Sequence, residues 1–362
     1  MTAINSSWSG LNATATIRSP LEVARDVYRL AVPVMLVACL ISMVFNLVIV
    51  ESVHWLRRSP SPTLCFSLSL SAANAYASLL VGVGLVVNSL LPAVYHVQPP
   101  ACWALSLEAF RLTGLIASVF HLLALAVNHY IGILRPLHYA ATVTRRTVWL
   151  STAAMWLLPL FFFLFYFSSV PGQGFQTVNC RYDFILWSTF RVTLSGLFFV
   201  PLVLMCFIYT HIFIIVRRHQ LGVGLSAQIP GQLRRSVKAV YTTLLILGTY
   251  LAGWMPAVLF YVLTCLDCAY PITSLSLDVR LTFGILTNSL VLIKSFVDPV
   301  IYVVRMREIQ EAFALMWKSR CGLVDVSRSS VDFMHMAHSR TDTQRITTNG
   351  SQHKQRCIAQ FS

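Results

Sequence analysis

Seven separate stretches of the chain are each apolar over the length that a helix needs to cross a bilayer: about Leu30 to Val53, Leu64 to Leu90, Ala104 to Gly132, Val148 to Val170, Leu186 to Val216, Val237 to Cys265 and Leu277 to Val304. A helix rises about 1.5 Å per residue, so about 20 mainly apolar residues span a hydrocarbon core of about 30 Å. The expected fold is therefore an all-α membrane protein, a bundle of seven transmembrane helices. Composition agrees: 56% of residues are hydrophobic, mean hydropathy is +0.69, and 11% are charged, against roughly 25% in soluble domains. The connections are too short for a second folded domain. The chain is read as an outer tail (1–29), one membrane domain (30–304), a short amphipathic surface helix (305–320) and a disordered tail (321–362).

A net charge of +14 could point to nucleic acid, but the cations gather in alternate connections and form no single basic face. Arg57 and Arg58 follow the first span, Arg135, Arg145 and Arg146 the third, Arg217, Arg218, Arg234, Arg235 and Lys238 the fifth, and Arg305, Arg307, Lys318 and Arg320 the seventh. The other connections hold almost no Lys or Arg apart from Arg181. By the positive-inside rule the N-terminus is outside and the C-terminus is cytosolic, with the cations beside anionic lipid headgroups. No nucleic-acid partner is expected. Asn5 and Asn12 each begin an Asn-x-Ser/Thr sequon in the tail placed outside, whereas Asn349 begins one in the tail placed inside. The first residues lack the basic start and apolar run of a cleaved signal, so the first span is expected to act as a signal anchor.

Cysteine position separates cysteine chemistry. Cys102, just before the third span, and Cys180, after the fourth, both reach the oxidising side. A disulfide between them would fold the second outer loop over the mouth of the bundle; the alternative is two free thiols. Cys265 and Cys268 are spaced to close a small ring. A zinc site there would need two further ligands, and the sequence offers none nearby. Cys321, past the short amphipathic stretch, is a palmitoylation candidate.

Single polar, aromatic and proline residues recur in the spans in an order that resembles the rhodopsin-like G-protein-coupled receptors. Asn46 stands in the first span, and Leu68, Leu70 and Asn74 in the second. Asn128-His129-Tyr130 closes the third where that family writes Asp-Arg-Tyr, followed by Ile133 and Arg135-Pro136-Leu137. Trp156 marks the fourth and Pro201 with Tyr209 the fifth. Tyr250 and Gly253-Trp254-Met255-Pro256 mark the sixth, and Asp298-Pro299-Val300-Ile301-Tyr302 the seventh. The resemblance implies a plasma-membrane receptor that passes the binding of an extracellular ligand to a heterotrimeric G protein, with arrestin and receptor kinases as partners of the Ser/Thr-rich tail. The mechanical parts can be read without the name. Pro201, Pro256 and Pro299 each remove a backbone donor and bend a helix, and Trp254 beside the Pro256 kink can couple an outer ligand to the inner end of that helix. Tyr209, Tyr250, Tyr302 and Asp298 complete the expected switch set.

Two departures matter. His129 is shorter than the family's Arg and usually neutral, Asn128 lacks the Asp charge, and Ser236 stands about where some relatives carry an acidic partner. The inactive-state lock is weak, which implies either high basal signalling or poor coupling. In mid-membrane, Asn74 replaces the Asp that helps relatives bind sodium, while Lys294 and Asp298 lie one turn apart. An unpaired charge there costs at least about 2.5 kcal/mol, so an i,i+4 ion pair is expected, with ligand affinity insensitive to sodium. Asn46, Asn74, Lys294 and Asp298 form the expected central polar site.

The expected ligand contacts are Glu108, Arg111, Trp254 and Asn288. Arg111 falls about where amine receptors of the family carry an Asp, which disfavours an amine. It either receives a carboxylate or phosphate as a bidentate donor or pairs with Glu108 one turn away. The apolar upper helices lean toward a lipid or an acidic small molecule. His121 reads as a hydrogen-bonded interior residue. An enzyme, a channel and a transporter are disfavoured: the chain has no P-loop, His-Glu-x-x-His or triad, no polar pore stripe and no internal repeat. No cofactor and no metal are expected. A receptor-like scaffold or partner subunit that does not itself signal, or a membrane transporter, is the alternative.

Replacing Asn5 and Asn12 together by Gln is expected to abolish glycosidase-sensitive mobility of the full chain expressed in animal cells, and Asn349→Gln to change nothing. Glycan surviving in the double variant would reverse the orientation.

Overall fold

The computed structural model describes residues 20–56, 59–222 and 231–320. The sequons at Asn5 and Asn12, Arg57, Arg58, Cys321, the Ser/Thr-rich tail and the side chain of Ser236 lie outside the described set. Eight main helices follow one another: α1 (Pro20–Ser52), α2 (Pro62–Leu85), α3 (Ala101–Leu134), α4 (Arg145–Ser169), α5 (Ser188–Gly222), α6 (Gly231–Leu263), α7 (Leu277–Arg305) and the shorter α8 (Arg307–Arg320). No strand occurs among the described residues. Six of the long helices are apolar over a spanning length. The seventh, α6, is apolar over Leu247–Leu263 among its described residues.

The helix ends differ from the apolar stretches in a consistent way. Residues 20–29 extend α1 beyond the predicted Leu30, and α5 runs on to Gly222. The sixth helix stops at Leu263, which leaves Cys265 in the loop beyond it. Hydropathy marks only the part of a helix that lies in hydrocarbon, whereas the backbone ladder continues until a cap or a proline ends it. Local chemistry sets several starts. Ser61, Thr144 and Ser276 each accept from the backbone N–H three residues on, at 3.3, 3.2 and 3.4 Å, which satisfies donors at the starts of α2, α4 and α7. After Leu85 the second span widens into a π turn, Val86–Leu90, just ahead of Pro92, whose ring nitrogen cannot continue the ladder.

Helix α3 is the axis of the bundle. It packs against α2, α4, α5 and α6, and 67% of its apolar stretch is buried, against 22–33% for the other five spans. Helix α1 is peripheral and sits on α2 and α7. Leu30, Val34, Val37, Ile41 and Val44 repeat every three to four residues along it and are all exposed, so they form a stripe that faces lipid. On α8 the pattern is reversed: Ile309, Ala312 and Met316 point into the protein, and Glu308 accepts from Ser61 at 2.8 Å, tying α8 to the start of α2.

One buried relay shows how polar groups are accommodated in such a bundle. The Trp156 indole N–H donates to Ser69 Oγ at 3.1 Å. His121 Nδ1 lies 2.7 Å from the Ala117 carbonyl, which can only accept, so that nitrogen carries the proton. His121 Nε2 therefore accepts from the Ser69 hydroxyl at 2.7 Å. Every group in the chain from α4 through α2 to α3 is matched, and His121 is a neutral structural residue here. Ser69→Ala strands an indole donor and an imidazole acceptor. It is expected to lower stability by about 1–3 kcal/mol, read as a drop in the melting temperature of the purified protein.

Candidate functional site

Helices α6 and α7 approach closely because Gly253 has no side chain. A Cβ there would lie 2.7 Å from Lys294 Cβ and 3.2 Å from the Leu290 carbonyl. Below this contact Lys294 and Asp298, one helical turn apart on α7, form an ion pair at 2.6 Å with both side chains almost fully buried. Asp298 also accepts from Asn74 Nδ2 on α2 at 3.0 Å and from the Thr249 hydroxyl on α6 at 3.1 Å. The Lys294 ammonium reaches Asn74 Oδ1 at 3.4 Å, and Ser118 on α3 donates to the same oxygen at 3.5 Å. One carboxylate thus gathers donors from α2, α6 and its own helix, while Asn46 joins α1 to α7 through the Ser295 carbonyl at 2.9 Å. The residues present do not fit a bound sodium ion, because an ammonium already neutralises the carboxylate.

Trp254 lies one turn beyond Tyr250 on α6 and touches two apolar clusters, one around this core and one toward the disulfide-bearing end. Tyr250 is fully buried and stacks on Phe198 with ring centroids 4.9 Å apart. On the other side of Trp254 opens a cavity of about 330 Å³ with mostly apolar walls, among them Leu115, Ile116, Phe198 and Val258. Three of the four expected ligand contacts, Arg111, Trp254 and Asn288, line it. Glu108 is not in the wall but grips Arg111 in a two-pronged pair at 2.5 and 2.8 Å. Arg111 therefore faces the cavity and is paired at once, so the two readings of it are compatible.

The rim is built by two disulfides and a clasp. Cys102 is bonded to Cys180, which folds the loop after α4 over the bundle and seats Phe184 among Phe167, Phe163 and Phe190. Cys265 and Cys268 close a small ring. Within that ring Asp267 accepts from the Ser188 N–H at 2.7 Å and from its hydroxyl at 2.5 Å, linking the loop after α6 to the start of α5. The Ser188 hydroxyl, then its N–H, hold the Asp267 carboxyl below its ordinary 3.8. A lowered acid keeps its contribution above the ordinary value and loses it as pH falls through the lower one, so the clasp is intact at neutral pH.

At the opposite end Asn128 donates to Thr63 at 3.0 Å and accepts from the Tyr139 hydroxyl at 3.0 Å, joining α3 to α2 and to the turn after α3. Tyr130 bonds His211 Nδ1 on α5 at 3.0 Å. His129 is buried. Pro201, Pro256 and Pro299 lie inside α5, α6 and α7, and Tyr209 and Tyr302 are buried in the core cluster that contains Tyr250.

The profile of a family described as "7 transmembrane receptor (rhodopsin family)" matches residues 25–302. The chain belongs to that family. The receptor is 25% identical over 300 residues to the adenosine receptor A3 of Ovis aries, covering 80% of this chain and 90% of the relative. It is 24% identical to the trace amine-associated receptor 4 of Mus musculus, covering 84% and 89%. It is 29% identical to the G-protein coupled receptor 6 of Rattus norvegicus, covering 68% and 64%. These relatives are receptors, a family without enzymatic activity.

Sequence reading missed Arg191, Ser195 and Tyr261 in the cavity, Thr249 and Ser118 in the core, and Thr63, Tyr139 and His211 at the far end. Arg191 carried a usable signal, a charge inside an apolar span. The others are ordinary polar residues whose partners lie on different helices. Exchanging sodium for choline at equal ionic strength is expected to leave the melting temperature of the purified receptor unchanged, whereas the Asn74→Asp/Lys294→Ser variant is expected to gain stability specifically in sodium. A sodium-specific shift in the unsubstituted receptor would contradict the central ion pair.

Proposed function

We propose that this receptor sits in the plasma membrane with its disulfide-bearing end outside, binds a lipid or an acidic small molecule in the cavity above Trp254, and signals to heterotrimeric G proteins. The observation that carries this reading is the position of Trp254, which forms part of the cavity wall and of the core beneath it on the proline-containing helix α6. A ligand pressing on Trp254 acts on the helix that Thr249 ties to Asp298. That hydrogen bond is one of the contacts a tilt of α6 would break, while the Lys294–Asp298 pair stays on α7.

Two features favour an acidic or lipidic ligand over an amine. The walls are mainly apolar, and their charged members are Arg111 and Arg191; of the nearby carboxylates, Glu108 is committed to Arg111 and Asp267 to Ser188. Trace amine and adenosine are named for relatives, and the cavity of this receptor offers no free carboxylate for an amine among the described residues. At the inner end Asn128 bonds neutral groups and carries no charge with which to restrain a G-protein site. We infer raised basal signalling. The phosphorylated Ser/Thr-rich tail would recruit arrestin after receptor kinases act. A non-signalling scaffold is the second reading, favoured by one observation: a short buried His129 stands where the family extends an Arg.

Nucleotide exchange on several purified G proteins, measured in membranes without ligand, is expected to exceed that of receptor-free membranes and to fall in the Asn128→Asp/His129→Arg variant. Exchange at background on every G protein, rescued by the same variant, would support the scaffold reading.

A further inference from the structure

Arg191 begins the second turn of α5 and is 2% exposed. Its Nε donates to the Ile185 carbonyl at 3.3 Å; its Nη1 donates to the Tyr261 carbonyl at 2.9 Å, to the Thr264 hydroxyl at 3.3 Å and to the Thr264 carbonyl. The guanidinium also lies 4.2 Å from the centre of the Tyr261 ring. All these partners are neutral. No carboxylate lies within ion-pair distance of Arg191 among the described residues; the nearest acid that influences it, Asp267, is held by Ser188. Part of its task is therefore structural: it closes the last carbonyls of α6, where the helix dipole favours a cation.

That task uses Nε and Nη1 and leaves Nη2 without a hydrogen bond among the described residues. One turn along the same face of α5, the Ser195 hydroxyl is buried, 4% exposed, and has no hydrogen-bond partner. Both residues line the 330 Å³ cavity. A buried guanidinium without a counter-charge and an orphaned hydroxyl are each costly, and a single ligand group satisfies both: a carboxylate accepts from the guanidinium and from the hydroxyl together. Arg111 is the weaker candidate, since the Glu108 carboxylate already neutralises its charge. Beyond this pair much of the wall is apolar, with Leu112, Leu115, Ile116, Val119, Phe198 and Val258, which suits an apolar body.

We propose that Arg191 and Ser195 are the carboxylate anchor of the ligand cavity, and that the ligand is a monoanionic amphiphile whose apolar body extends toward Trp254. The proposal rests on the reading of this cavity as the ligand site. It also supplies a coupling route: an anion on Arg191 acts on the group that closes the end of α6, the helix that bears Trp254.

The test uses the purified full-length receptor and thermal unfolding with decanoate, dodecanoate and phenylbutyrate, alongside methyl decanoate and decylamine. Saturable stabilisation by at least one carboxylate, and none by the ester or amine, is expected. Arg191→Gln should abolish it. Because that change also uncaps α6 and can impair folding, Ser195→Ala is the second variant: it removes a hydroxyl that makes no bond, so the receptor should fold normally while carboxylate affinity falls about tenfold or more. The Glu108→Gln/Arg111→Gln variant should keep the response. The anchor is overturned if no carboxylate stabilises the receptor, if ester and acid act alike, if Ser195→Ala binds with unchanged affinity, or if the Glu108/Arg111 variant alone loses binding. Nucleotide exchange separates the two proposals. Carboxylate binding with exchange at background, with and without the carboxylate, supports the anchor and removes the signalling reading, whereas basal exchange without any carboxylate binding does the reverse.

Discussion

A buried ion pair on one helix organises the centre of this receptor. Taking Lys294 and Asp298 out of water costs several kcal/mol per ion, and their attraction offsets this only when the remaining donors and acceptors are also satisfied. Asn74 and Thr249 meet part of that need, and since they come from α2 and α6, the pair sets the spacing of three helices. Gly253 is the steric counterpart, because any larger residue would press on the Lys294 side chain and part α6 from α7.

From this centre two routes lead outward. Toward the disulfide-bearing end, Tyr250 and Phe198 stack beneath Trp254, and Trp254 borders the cavity, so the packing between ligand space and ion pair is continuous. Toward the other end, Asn128 and Tyr130 join α3 to α2, to the following turn and to α5 through neutral hydrogen bonds. A charged, interlocked middle thus contrasts with an end held by neutral hydrogen bonds, the contrast on which the proposal of raised basal signalling rests. Among the described contacts that hold α6, the Thr249 bond to the Asp298 carboxylate is worth roughly 1.5–3 kcal/mol.

Sequence order revealed the interactions that are local along one helix. Lys294 and Asp298 are four residues apart, and Glu108 and Arg111 three, so both pairs can be recognised from helical periodicity alone. The apolar stretches located the spans for a similar reason, since lipid tests each segment independently. The ends of those spans were less legible: α1 covers residues 20–29 ahead of the predicted Leu30, and α6 stops at Leu263, because hydropathy marks only the part of a helix that lies in hydrocarbon. Arg191 was overlooked in a span read as uniformly apolar. Its partners are carbonyls on another helix and in two loops, which no linear pattern records.

The sequence by itself determined a seven-helix membrane bundle, its family, the pivots at Pro201, Pro256 and Pro299, and the replacement of the usual polar switches at Asn74, Asn128 and His129. Only the tertiary structure decided which polar groups meet. It seated Asp298 between Asn74, Lys294 and Thr249, placed Arg111 in the cavity wall while pairing it with Glu108, and left Arg191 and Ser195 facing the same space with donors to spare. The physical reason is that apolar burial in lipid depends on the composition of each segment, whereas satisfying a buried polar group depends on which other helix lies within about 3 Å of it.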